Sequence, residues 1–141
     1  MNRKLKILHE KRKRHASSEN GQAIVEFALA LPLLLLIICG ILDFGWIYTN
    51  QYKVEYAVYA GARYATIYGP DMTESALKTG IESITAENIP NGSAEYVNVT
   101  VNSGERTVRV KVSYPVRTIT FVAGTIFGRY YTARAETAAS Y

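Results

Sequence analysis

Residues 21–45 read GQAIVEFALALPLLLLIICGILDFG, and the rest of the chain is arranged around them. Residues 27–42 hold no charge, and from Ala23 to Tyr48 the only charges are Glu26 and Asp43, one near each end. A membrane-crossing helix takes roughly 20 mostly apolar residues. Residues 22–48 therefore read as a single span with a carboxylate at each shoulder. Pro32 removes one backbone donor and frees the carbonyl of Ala28, which lipid cannot satisfy. It reads either as a tolerated membrane kink or as a functional hinge. Gly40 and Gly45 permit close approach of another helix, or are plain membrane glycines. Trp46 and Tyr48 suit the outer headgroup belt.

Charge is unevenly placed. The formal net charge is +4, but the first 21 residues alone carry +5, from Arg3, Lys4, Lys6, Lys11, Arg12, Lys13 and Arg14 against Glu10 and Glu19. Residues 22–141 carry −1. The basic balance is local and gives no nucleic-acid-binding face, so no nucleic acid is expected as a partner. Basic residues beside a span favour the cytoplasmic side, which predicts the N-terminus inside and the C-terminus outside. Residues 1–20 are cationic with too little apolar content to pack. They read as a solvated cytoplasmic tail or as the n-region of a targeting signal. Cys39 is the single cysteine, which excludes an intramolecular disulfide and a CxxC redox motif. His9 and His15 both lie in the leader, and no phosphate loop, metal cluster or nucleophile–base pair is evident. The chain is expected to be no enzyme and to take no cofactor.

Past the span, residues 49–69 form a helical stem. Val54, Ala57, Val58, Gly61 and Ala65 repeat at three- and four-residue steps, as one helical face requires. Gly69-Pro70 ends it. A helix from Gln22 to about Ile67 is roughly 70 Å long at 1.5 Å per residue. Tyr48, Tyr52, Tyr56, Tyr59 and Tyr64 read as packing groups rather than a ligand site. Residues 70–141 read as an extracytoplasmic α+β domain. Asp71-x-x-Glu74 resembles a capping box opening a second helix, with Leu77, Ile81 and Ile84 on one face and an end near Thr85. Gly80 weakens that helix by about 1 kcal/mol relative to Ala. Pro90-Asn91-Gly92 reads as a turn. Val97, Val99 and Val101, then Val108, Val110, Val112 and Tyr114, alternate with polar residues as two half-buried strands. Residues 102–105 join them as a hairpin, and Pro115 ends the second strand. Arg109 and Lys111 belong to a solvated sheet face. Residues 119–127 are apolar and aromatic, a helical turn or irregular connection; an exposed stretch of this kind contacts membrane or a partner, and burial under the sheet is the expectation. Residues 129–137 alternate as a third antiparallel strand, and three strands backed by a helix suffice for stability. The fold class is α+β: a long N-terminal transmembrane helix continuing into a soluble stem, a short second helix and a small antiparallel sheet.

The order of basic leader, Gly21, then Gln22-Ala23-Ile24-Val25-Glu26 and an apolar helix resembles the type IV pilin signal. The continuation Glu26-Phe27-Ala28, Pro32 within the run, and Gly40-Ile41-Leu42-Asp43-Phe44-Gly45 at its end resembles more narrowly the TadE-like pseudopilins of Tad-type pilus systems. The motif match covers about residues 21–65. The resemblance implies that a prepilin peptidase removes residues 1–21 by cutting between Gly21 and Gln22. It implies that Glu26, Phe27, Pro32 and Asp43 serve assembly or recognition. Ionisable groups in spans are costly and usually functional, although Glu26 also reads as an interfacial carboxylate without a role. The implied protein is a structural minor pilin-like subunit in the inner or sole membrane. It helps to initiate, anchor or complete a pilus or secretion filament. Its partners are the prepilin peptidase, other pilins and pseudopilins, the assembly platform and the lipid bilayer. A competing reading is a bitopic membrane-anchored module whose residues 71–141 bind a ligand or surface polymer.

Overall fold

The computed structural model of the chain describes residues 2–126 and 128–141, with side chains from Gly21 onward. The expected solvation of the leader side chains, and the end of the apolar stretch at Phe127, lie outside the described residues. The elements run α1 (Asn2–Tyr68), α2 (Glu74–Asn88), β1 (Val97–Asn102), β2 (Thr107–Arg117), α3 (Phe121–Ile126) and β3 (Tyr130–Ser140). The architecture is α+β, as the sequence predicts. The chain divides into two compact units, Met1–Cys39 and Gly40–Tyr141.

In the first unit the helix passes through Pro32 without a break. From Ile24 to Ile38 its large apolar side chains are exposed. Among the described residues α1 is the one helix long and apolar enough to cross a membrane. It begins before Gln22, the expected start, because its first helical residue is Asn2.

In the second unit α1 supplies a buried stripe, Val54, Ala57, Val58, Ala62 and Ala65. Its small side chains let neighbours approach closely. A Cβ on Gly61 would lie 2.2 Å from Thr85 Oγ1 and 3.2 Å from Ile81 Cγ2, both on α2. In return, a Cβ on Gly80 of α2 would lie 2.5 Å from the ring of Tyr64 on α1. Gly80 is thus the gap that a tyrosine ring fills, which offsets its intrinsic cost to the helix. Leu77 and Ile81 of α2 are fully buried and share one core with Val54 and Val58 of α1, Val99 of β1, Val108, Val110 and Val112 of β2, and Ala133 of β3.

The sheet is antiparallel in the order β1-β2-β3. Alternation explains its burial: Val108, Val110, Val112, Tyr114 and Val116 are buried, and their neighbours Arg109, Lys111, Pro115 and Arg117 are exposed. The hairpin forms where expected. Asn102 Oδ1 accepts from the Gly104 and Glu105 amides at 3.2 and 3.3 Å, closing the loop as an Asx turn.

Several expectations are corrected. β2 does not end at Pro115 but continues to Arg117, paired throughout with β3. β1 pairing stops at Val97↔Val112, so β2 is an edge on that side at residue 115. A residue without N–H is tolerated at such an edge. The capping box is absent. Asp71 belongs to a 3₁₀ turn, Gly69–Asp71, and α2 starts at Glu74 behind Thr73, which makes no side-chain cap bond. The same helix runs on to Asn88, past the expected end at Thr85. The chain then turns at Pro90 and Asn91, whose φ of 73° and ψ of −3° suit the third position of a type II turn. Residues 119–126 are not buried as a segment: Ala123 is, but Ile119, Phe121 and Ile126 are 59%, 87% and 63% exposed. Nor are the stem tyrosines mainly packing groups. Tyr64 joins the core, but Tyr48, Tyr52, Tyr56 and Tyr59 are all exposed.

Candidate functional site

The candidate residues fall into two groups, one in each unit. Gly21, Gln22, Glu26, Phe27 and Pro32 occupy the exposed apolar part of α1. Gln22 Nε2 donates to Glu26 Oε1 at 3.0 Å, one helical turn apart. That bond is local, and the carboxylate keeps its remaining acceptor sites open. Phe27 is 65% exposed. A Cβ on Gly21 would meet nothing within 4 Å among the described residues, so no packing among them requires glycine there. Gly40 and Gly45 are equally open. These three contrast with Gly61, Gly69 and Gly80, where side chains of the chain itself fill the space.

Asp43 stands apart from that group. It is only 3% exposed. Its Oδ1 accepts from the backbone amides of Ile119 and Thr120 at 2.8 and 3.0 Å. The Thr120 hydroxyl donates to Oδ2 and accepts from the Ala123 amide at 3.3 Å, so Thr120 caps α3. A carboxylate at this position satisfies two backbone donors and orients the hydroxyl that satisfies a third. The C-terminal piece of the Gly-x-x-Asp-x-Gly motif is therefore a tertiary clasp holding residues 118–120 against α1.

Two further α1 side chains, Trp46 and Gln51, extend the clasp. Trp46 Nε1 donates to the Arg117 carbonyl at 3.1 Å. Gln51 Nε2 donates to the Arg134 carbonyl at 2.9 Å, and Gln51 Oε1 accepts from the Arg134 amide at 3.3 Å. The amide side chain thus pairs with β3 as a strand backbone would. Asn50 is buried and donates to the Trp46 carbonyl at 2.8 Å. Sequence reasoning missed Asn50 and Gln51, and gave Trp46 only a headgroup role. A signal existed. Continuing the apolar stripe backwards from Val54 in three- and four-residue steps reaches Asn50, Ile47 and Asp43.

On the exposed sheet face, Arg109 and Lys111 share Glu136, at 2.9 and 3.8 Å. Such exposed pairs contribute little to stability. They occupy the charges that a polymer-binding face would present.

Residues 21–63 match the sequence model of a family described as TadE-like protein, the family that the motifs from Gly21 to Gly45 resemble. The match begins at the glycine of the expected cut and takes in both groups of candidate residues. It ends within the stem, so α2 and the sheet lie outside it. No curated protein and no solved structure matches the chain.

Proposed function

We propose that the chain is a minor pilin-like subunit of a Tad-type pilus or related secretion filament, cut by a prepilin peptidase between Gly21 and Gln22. The observation that carries this reading is the family match starting at Gly21, on a helix whose apolar side chains have no partner within the chain. The basic leader holds the N-terminus inside, so the α+β unit lies outside the cytoplasmic membrane. Two surfaces support an assembly role. Gly40 and Gly45 leave room for a close helix neighbour. Phe44, Tyr48, Tyr52, Tyr56 and Tyr59 form an exposed aromatic stripe on the stem, at the helical spacing that meets another helix or a lipid headgroup layer.

Cleavage converts Gln22 into the first residue and creates an α-amino group one helical turn from Glu26. Two subunits packed with a small axial stagger pair the amine of one with Glu26 of the next. Opposite charges at about 4 Å attract by roughly 4 kcal/mol at an effective dielectric of 20, before desolvation is subtracted. A net 1–2 kcal/mol is enough to favour one register by about tenfold between otherwise featureless apolar helices. Proteolysis thereby arms the contact.

The test is Glu26→Gln. The variant is expected to be cut normally yet to fail to enter pili or co-purify with other pilins. Normal incorporation at normal levels of cleaved protein would remove the charge pairing from the account.

A further inference from the structure

The second unit presents an apolar segment that its own core does not use. Phe121, 87% exposed, is the most exposed large apolar side chain among the described residues, and Ile119 and Ile126 flank it on and before α3. The backbone entering this helix is tied to α1, where Ile119 and Thr120 bond Asp43. In sequence its neighbourhood is one-sided in charge, and the carboxylate that touches the segment, Asp43, is buried and bonded to Ile119 and Thr120. Residues 106–135 contain six Lys and Arg and no Asp or Glu. Two of these, Arg117 and Arg129, line the same concave face as Ile119, Phe121 and Thr125. Both arginines are exposed, and neither has an ion-pair partner among the described residues.

The clasp fixes where this segment lies along α1. Ile119 and Thr120 bond Asp43, the residue directly after the uncharged run 27–42. Arg117 bonds Trp46, three residues on, or about 4.5 Å along a helix at 1.5 Å per residue. The exposed Tyr130 and Tyr131 border the neighbouring groove together with Phe44 and Ile47. Aromatic rings, unpaired arginines and bare aliphatic tips at one level are the composition of a membrane interface. Like charge and apolar surface together favour anionic lipid over a basic protein partner.

We propose that α3 is a second membrane contact: Phe121 and Ile126 dip into the outer leaflet of the bilayer that the span crosses, with Arg117 and Arg129 on lipid phosphates. The proposal rests on reading residues 22–48 as a span. In that arrangement Asp43 orders the lead-in to α3 at the lipid surface, and the bilayer covers the side chains that the core leaves out.

The test uses the full chain with Cys39→Ala, in nanodiscs of phosphatidylglycerol and phosphatidylcholine. Nitroxide probes are attached singly through Phe121→Cys, Ile126→Cys, Leu35→Cys and Asn98→Cys. Molecular oxygen partitions into lipid, and a nickel chelate stays in water. The expected result is an excess of oxygen over nickel collisions at 121 and 126 as well as at 35, with the reverse at 98. Adding Arg117→Gln and Arg129→Gln should lower the ratio at 121 and leave 35 unchanged; an unchanged ratio at 121 would contradict the phosphate contacts. Nickel preference at 121 and 126 with oxygen preference at 35 would overturn the proposal and leave the span standing. Nickel preference at 35 would overturn the span reading itself. Shielding from both reagents that disappears on dilution in lipid would replace the bilayer with a second copy of the chain.

Discussion

Asp43 shows how one residue can carry two readings. By composition it is the outer shoulder of an apolar run; in the fold it accepts two backbone amides and a hydroxyl. Hydrogen bonds to a charged group contribute about 1.5–3 kcal/mol each when the partner is otherwise stranded. Asp43→Ala should therefore release residues 118–120 while the distant core of Leu77, Val108 and Val110 stays folded. Amide exchange at Ile119 and Thr120 is expected to accelerate by at least about tenfold, corresponding to 1.4 kcal/mol. Unchanged protection there would show that the clasp contributes nothing. The glycines make a parallel point. Gly61 faces Thr85 Oγ1, a buried hydroxyl without a partner. Gly61→Ala should destabilise the domain by about 1–3 kcal/mol through overpacking. In a Thr85→Ala background the same change should be near neutral, because the obstructing hydroxyl is gone and Ala favours the helix. Thermal melts of the four combinations measure the coupling; additive effects would contradict the packing.

At the scale of elements, periodicity was the reliable guide. The three- and four-step stripe from Val54 to Ala65 and the alternating face of Thr107–Arg117 lie buried, and that of Val97–Asn102 lies buried at Val99 and half-buried at Val97 and Val101, as their spacing requires. Signals that depend on a single residue were weaker. Pro115 ends a strand only if both sides need its amide, and β1 had already stopped. Asp71 and Glu74 carry the capping-box spacing, yet Gly69-Pro70 draws Asp71 into its own turn. Residues 119–126 are apolar enough for a core, but the core between α1, α2 and the sheet is already filled. Their exposure follows from Asp43, which binds the preceding backbone at the rim of the domain. The stem tyrosines were misread for a related reason. With Val, Ala and Gly facing the sheet, the larger rings at 48, 52, 56 and 59 fall on the opposite face.

For the whole molecule, what was legible was the α+β class: a long apolar helix running on into short helices and a three-stranded antiparallel sheet. The geometry of the candidate site was legible at its N-terminal end, as an exposed helix carrying Gly21, Gln22 and Glu26. It was not legible at Asp43, whose partners lie 76 and 77 residues away in sequence. Local spacing does not encode such a pairing. The family match stops inside the stem, and α2 and the sheet lie beyond it.

The central claim is that residues 1–21 form a processed leader, and the intact mass of the membrane-extracted protein tests it most directly. Gly21 packs against nothing among the described residues, so Gly21→Val is expected to act on cleavage without straining their fold. From cells with an active prepilin peptidase, the account predicts a mature chain beginning at Gln22, and a Gly21→Val chain that keeps its leader. A wild-type chain that retains residues 1–21 under those conditions would contradict it.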